Sequence, residues 1–280
     1  MIPIIILSSY DLTYSEEHIA KEINKNPNYF IKNSITTISQ ELGVATSTIS
    51  RLAKKLGYKT FKEFKLFIYE KNKQIKNNFS IENGGKLPKL IQKIKNFNMY
   101  SIFETINNLD PNELNSVIHC ILKSKRIFIY GVGSGGMVAS EMNNNLRRLG
   151  LNSHTSQDFH GQILFLNSFK ENELFILFST SGLTREIIEL IKIAQHNNCQ
   201  TLLITARQDL GKTLQPNFVL YYYVHYDESA YFPIISSKIS QLIISDILVS
   251  MLIEKLPDKQ QEIENGKHLI VNWNQTGSIF

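Results

Sequence analysis

Ser179-Thr180-Ser181-Gly182, followed by Thr184, stands between an apolar run over residues 174–178 and a helical pattern. A strand-to-helix junction gathers unpaired amides and the positive end of the helix dipole at one point. Hydroxyls add donors there, so the stretch suits an anion without any lysine. A dianionic phosphate fits, Gly182 permits close approach of the backbone, and each charge-assisted bond contributes about 1.5–3 kcal/mol. The same residues serve equally well as an ordinary turn with Thr184 capping the next helix. An earlier junction has the same build: residues 127–130 lead into Gly131-Val132-Gly133-Ser134-Gly135-Gly136, with a helix expected from near Met137. These glycines match part of a dinucleotide fingerprint, but no acidic residue closes a second strand about 20 residues on, and no nucleotide cofactor is expected.

Three further residues bear on this chemistry. His160 could hydrogen-bond a ligand hydroxyl or simply hold backbone; Glu186 and Glu228 are candidate ligand-binding groups or bases, and are equally ordinary as surface carboxylates. Cys120 and Cys199 have neither CxxC nor metal spacing, which predicts a reducing compartment, no disulfide framework and no metal site.

A different chemistry is concentrated near the start. Residues 1–76 hold 12 Lys/Arg against 7 Asp/Glu, whereas residues 77–280 hold 18 of each, so the net charge of +5 lies wholly in the first quarter of the chain. Within 51–76 the count is 9 basic against 2 acidic, a density expected of a surface facing a polyanion. In residues 35–58, Ile38 and Leu42 share one helical face, Gly43 supplies a turn, and Ile49, Leu52, Ala53 and Leu56 form the stripe of a second helix. This is a helix-turn-helix pattern. Ser47, Ser50, Arg51 and Lys54 fall on the opposite face of the second helix, where they could enter a major groove. Thr46 and Thr48 lie in its first turn. Lys55, Lys59, Lys62 and Lys65 are placed to meet flanking phosphates.

The elements that must position these residues follow from periodicity. Up to about residue 76 the pattern is helical throughout, and the apolar start Ile4-Ile5-Ile6 reads as helix or packing surface. Residues 77–88, with Asn, paired Gly and Pro, read as a linker. Asp110-Pro111-Asn112-Glu113 predicts a helix start with an N-cap Asp, Pro at N1 and Glu at N3, running to about Lys123. Apolar runs at 127–130, 174–178, 201–204 and 218–224 alternate with helical stretches near 136–149, 184–197 and 236–255, which predicts a three-layer α/β domain with a largely parallel sheet. No run approaches the roughly 20 apolar residues of a membrane span.

The first part of the chain resembles the N-terminal domain of RpiR-type transcriptional regulators. The match is carried by Thr13-Tyr14-Ser15-Glu16-Glu17-His18-Ile19-Ala20, Asn26-Pro27, the run from Gly43 to Arg51, and Lys55-Leu56-Gly57-Tyr58 followed by Phe61-Lys62-Glu63-Phe64-Lys65. One departure is Ala45, where the family commonly has a capping serine; alanine forgoes about 1 kcal/mol unless Thr46 caps instead. The two glycine- and hydroxyl-bearing loops resemble those of the SIS, or sugar isomerase, domain that follows the helix-turn-helix in such regulators, and Asp158, His160 and Gln162 match its D-x-H-x-Q segment.

The resemblance implies an all-α helix-turn-helix domain over 1–76, a linker and connecting helix over 77–105, and an α/β SIS domain over 106–280. It implies a phosphosugar site at Gly133, Ser134, Gly135, Ser179, Thr180, Ser181, Gly182 and Thr184, to which His160 and Glu228 are further candidates. The family's first-loop serine position is Gly135 here, with Ser134 one place earlier. A cytoplasmic, homodimeric or homotetrameric regulator follows, reading an inverted-repeat operator and answering to a sugar phosphate, with no catalytic residue, cofactor or membrane contact. The competing expectation is a sugar-phosphate isomerase or lyase carrying an accessory helical domain, since fold alone does not separate the two.

Overall fold

A computed structural model describes residues 3–7, 10–79, 89–156, 158–210, 214–224 and 237–277. The chain divides into two compact units, one built on Met1–Phe103, the other on Glu104–Tyr223 and Ser237–Phe280.

The described elements of the first unit are helical: α1 (Tyr14–Lys25), α2 (Pro27–Lys32), α3 (Ile35–Leu42), α4 (Thr46–Lys55), α5 (Phe61–Phe79) and most of α6 (Lys89–Asn107). Local sequence explains each start. Thr13 Oγ1 accepts from the Glu16 amide at 3.4 Å while the Glu16 carboxylate accepts from the Thr13 amide at 2.9 Å, a reciprocal cap on α1. Asn26 caps α2, whose first residue is Pro27, and Ser34 caps α3. Gly43, in the left-handed region, turns the chain from α3 toward α4. Ile19, Phe30, Ile38, Ile49, Leu52 and Phe64 meet in a core fully closed to solvent. The apolar start is irregular packing backbone rather than helix: the Asn24 side chain accepts from the Ile4 and Ile5 amides and donates to the Ile5 carbonyl, which releases the two isoleucines into the core.

The second unit contains α7 (Pro111–Lys123), β1 (Ile127–Gly131), α8 (Ser134–Arg148), β2 (Ser153–His154), α9 (Phe159–Leu166), β3 (Leu174–Ser179), α10 (Arg185–His196), β4 (Gln200–Thr205), β5 (Phe218–Tyr221), α11 (Ser237–Lys255) and α12 (Pro257–Thr276). All strand pairs are parallel, in the order β2-β1-β3-β4-β5. The central strand β3 is buried along its whole length, which is why residues 174–178 read as a continuous apolar run rather than an alternating one. Its Phe175 and Leu177 pack with Ile187 and Leu190 of α10 and Leu166 of α9, while α8 and α11 pack together and α8 also lies on β1 and β3. This is the expected three-layer α/β architecture.

The differences from expectation are local. β2 is only two residues long and α9 is short, so neither has a legible period; β5 ends at Tyr221, short of the expected 224. α12 is a further helix that the alternation did not announce. Asp110 caps α7 as expected, but Glu113 turns away from the cap and accepts from the Val219 amide of β5 at 3.3 Å. Burial first, and the nearby Asp110 charge, push the Glu113 carboxyl above its ordinary pKa, against the lowering effect of that amide bond.

Candidate functional site

The strand order reverses between β1 and β3, and an open parallel sheet forms a crevice at the carboxyl ends of the strands at such a point. Both candidate loops leave the sheet there. Gly131 is in register with Phe178, and Ser179 with Thr205, so the ends of β1, β3 and β4 lie side by side. A Cβ on Gly135 would stand 3.0 Å from the Phe178 carbonyl oxygen, which shows how closely the first turn of α8 approaches the end of β3.

In the second loop each hydroxyl oxygen already accepts a proton or shares one. Ser179 Oγ accepts from the Gly182 amide at 3.1 Å and lies 3.1 Å from Thr184 Oγ1. Ser181 Oγ accepts from the Leu183 amide at 3.2 Å. Thr180 Oγ1 accepts from the Tyr222 hydroxyl at 2.8 Å, and the Thr180 carbonyl accepts from Thr205 Oγ1 and the Ala206 amide. With their lone pairs used in this way, Ser181, Thr180 and one of the Ser179–Thr184 pair keep a hydroxyl proton for an outside acceptor. Thr184 does occupy the N-cap position of α10, yet its side chain makes no cap bond because it is turned to Ser179. The first-turn amides of α10 therefore lack a capping hydroxyl. Gly182 stands at φ 66°, a left-handed conformation strained for a residue with a side chain, and a Cβ there would also have to displace the end of the Leu210 side chain, 2.7 Å away.

The first loop is shorter than expected. α8 begins at Ser134, three residues before Met137, because Gly133 at φ 59° and ψ −123° turns the chain abruptly and the Gly135 amide bonds back to the Val132 carbonyl. Gly133 is exposed, Ser134 is half-buried in the first turn, and Gly135 is buried against β3. A serine at 135, the family's usual position, would press on the Phe178 carbonyl in this backbone.

The flanking candidates are dispersed. His160 is exposed on α9, one residue from Phe159, whose ring lies 5.8 Å from that of Tyr130 at the end of β1. Asp158 is used as the N-cap of α9, accepting from the Gly161 amide. Glu186, in the first turn of α10, lies near enough to Tyr130 that its charge adds to burial in raising the phenol pKa. Glu228 lies outside the described residues. Two groups that sequence patterning did not single out also reach this edge. Tyr222, within the apolar run at 218–224, touches the loop through its hydroxyl; Arg207, half-buried just after β4, donates Nε to the Asp209 carbonyl at 2.7 Å. No period marks either one, since both follow the ends of strands.

In the first unit, α4 presents Ser47, Arg51 and Lys54 exposed and Ser50 half-buried, while Ile49, Leu52 and Ala53 face the core. Thr46 is exposed; its carbonyl accepts from Ser50 Oγ. Thr48 is turned inward at 7% exposure, and its Oγ1 accepts from Arg51 Nη2 at 3.3 Å, so it orients Arg51 from behind the exposed row. Ala45 is the N-cap of α4 and no side chain caps the helix, Thr46 included. Among the lysines, Lys59 and Lys62 are exposed, whereas Lys55 is drawn to the Glu16 carboxylate at 2.9 Å and the Asp11 carbonyl, and Lys65 donates to the Asn33 carbonyl.

Residues 1–74 match the family model for the helix-turn-helix domain of the rpiR family, and residues 120–251 match that for the SIS domain. The chain is 30% identical over 251 residues to an HTH-type transcriptional regulator of Haemophilus influenzae, covering 87% of this chain and 86% of that one. Its fold is similar to that of the Vibrio vulnificus NanR protein complexed with ManNAc-6P, with a TM-score of 0.59 at 18% identity over 93% of this chain and 94% of that one. It is also similar to the sugar isomerase domain of an RpiR transcription factor from Sphaerobacter thermophilus, with a TM-score of 0.56 at 14% identity over 64% of this chain and 98% of that one. With both domain models matched in this order and a 30% identical relative matched over most of its length, the chain belongs to the rpiR family of helix-turn-helix transcriptional regulators that carry a SIS domain.

Proposed function

We propose that the SIS unit of this regulator binds a phosphorylated sugar as effector, with the phosphate at residues 179–184 and the first turns of α8 and α10. The observation that carries this reading is the polarity of the loop. Thr180 and Ser181 accept from Tyr222 or an amide on their inner side, and Ser179 accepts from an amide while sharing a proton with Thr184, which leaves three of these four hydroxyl protons for an anion. The likeness in fold to NanR, which has been seen with ManNAc-6P, supports a phosphosugar as the ligand class. The effector acts by preferring one arrangement of the DNA-binding heads, because only a difference in affinity between two states shifts their balance. DNA is read by Ser47, Ser50, Arg51 and Lys54, with Lys59 and Lys62 on flanking phosphates, in a cytoplasmic homodimer or homotetramer on an inverted-repeat operator.

The test is a thermal-shift screen of the full chain against sugar phosphates and their parent sugars. A phosphosugar should raise the melting temperature while its parent sugar does not. Ser181→Ala should then weaken binding by about 10- to 150-fold, the loss of one charge-assisted bond of about 1.5–3 kcal/mol. Unchanged affinity in Ser179→Ala/Ser181→Ala returns the loop to a plain turn. The bound sugar should be recovered unaltered by proton NMR; conversion abolished by His160→Ala or Glu186→Gln would establish an isomerase or lyase instead.

A further inference from the structure

We propose that Tyr222 and Gln241 are positioning residues for the effector phosphate, fixing the Thr180 hydroxyl as a donor directed at the ligand; this rests on the phosphosugar reading of the loop. Both side chains are buried, each 1% exposed. Gln241 Nε2, on α11, donates to the Tyr222 hydroxyl at 2.6 Å, and Tyr222 Oη lies 2.8 Å from Thr180 Oγ1. An amide nitrogen can only donate, so the phenol oxygen is the acceptor in the first bond and its own proton remains for Thr180. Thr180 Oγ1 is thereby the acceptor in the second bond, and its own proton is left pointing out of the chain of bonds. The chain runs one way: from Gln241 through Tyr222 to Thr180, and from Thr180 to an acceptor outside.

Two features give this direction significance. The Thr180 backbone is pinned at the same time, its carbonyl accepting from Thr205 Oγ1 at 3.3 Å and the Ala206 amide at 3.2 Å, so the hydroxyl cannot escape by a shift of the loop. Gln241 holds its place although its Oε1 is buried without a hydrogen-bond partner. A leucine would fill that interior more cheaply, since an unsatisfied buried carbonyl is unfavourable. The amide is accounted for by the proton it gives to Tyr222. A directed donor is what a phosphomonoester dianion requires, because its terminal oxygens only accept; a hydroxyl free to rotate would present lone pairs to the anion part of the time.

The experiment is a double-mutant cycle on the full chain, with inorganic phosphate as probe and the midpoint of its thermal stabilisation as readout. Thr180→Val should weaken phosphate binding about tenfold, the loss of one charge-assisted bond. Tyr222→Phe should do nearly the same in the wild-type background and nothing further in the Thr180→Val background, since it acts through that hydroxyl. Gln241→Met, which leaves Tyr222 and Thr180 paired but undirected, should cost a smaller factor and likewise nothing when Thr180 is already valine. This variant carries the test if Tyr222→Phe does not fold. Equal losses in both backgrounds, or lowered melting temperatures with unaltered phosphate midpoints, would make Tyr222 and Gln241 purely structural and overturn the proposal. If Ser181→Ala still weakens phosphate in that case, the effector reading stands without the relay. If wild type does not bind phosphate, or Ser181→Ala leaves binding unchanged, the effector reading falls and takes the relay with it.

Discussion

On the proposed DNA-reading face, Arg51 and Lys62 are expected to make different kinds of contact. Arg51 stands on the exposed row of α4 with Thr48 bonded behind it, so Arg51→Ala should lower specific DNA affinity by about 1–3 kcal/mol and relax preference at one base position. Lys62→Ala should instead weaken all sequences alike and reduce the slope of log affinity against log salt by about one unit. Fluorescence anisotropy on matched and scrambled operators across a salt series separates the two. If Arg51→Ala, Lys54→Ala and Ser47→Ala together leave affinity unchanged, α4 is not the reading helix. Glu16 sets a pH dependence on the same unit. Burial raises its pKa, but the Thr13 amide and the Lys55 ammonium outweigh this and hold the carboxyl below its ordinary value. A depressed folded pKa stabilises above the unfolded value of about 4.3 and is lost as pH falls through the folded one. Glu16→Gln should therefore destabilise at pH 7 in urea unfolding, and the difference from wild type should shrink as the medium is acidified below pH 4.

At the scale of elements, two helix starts are unusual. α4 begins at Ala45 with no side-chain cap, so Ala45→Ser should raise stability by about 1 kcal/mol, read as a higher urea midpoint at unchanged slope. α8 begins against the end of β3, where Gly135→Ser would place a Cβ 3.0 Å from the Phe178 carbonyl. β3 is the central, fully buried strand and cannot easily yield, so this substitution should destabilise by about 1–3 kcal/mol, and its cost should appear in the same unfolding measurement. A gain in stability would show that α8 can slide off the strand. The two tests bear on one contrast: a missing cap costs a helix only its own end, whereas a misplaced methylene at a strand end disturbs the crevice that both loops share.

At the scale of the molecule, the charge excess lies in the helix-turn-helix unit and the proposed phosphosugar site in the SIS unit, and each unit has its own core. Sedimentation of the full chain at tens of micromolar, roughly where stable dimers persist, should give a dimer or larger species. Its operator should then consist of inverted half-sites about 34–36 Å apart or a multiple of that distance, which footprinting measures directly. A monomer under those conditions would remove the basis for two-fold operator symmetry. Among the described residues, no helix is long and apolar enough to cross a membrane.

Order along the chain was enough to determine the two-part organisation, the helix-turn-helix, four of the five strands among the described residues and the placing of both loops at strand ends, because these are periodic or local: caps, turns and apolar runs depend on neighbours a few residues away. Thr13, Asn26, Asp110 and the run at 174–178 are of this kind. Tertiary structure decided what depends on contacts distant in sequence. It turned Thr48 inward, bound Lys55 to Glu16, took the Thr184 hydroxyl from its helix to Ser179, and set Gly135 close against the Phe178 carbonyl. It also brought Tyr222 to Thr180, 42 residues away in the chain, and Gln241 to Tyr222 across a further 19. No periodicity encodes such pairs, since the direction of a hydrogen bond is set by which groups the packed layers bury together.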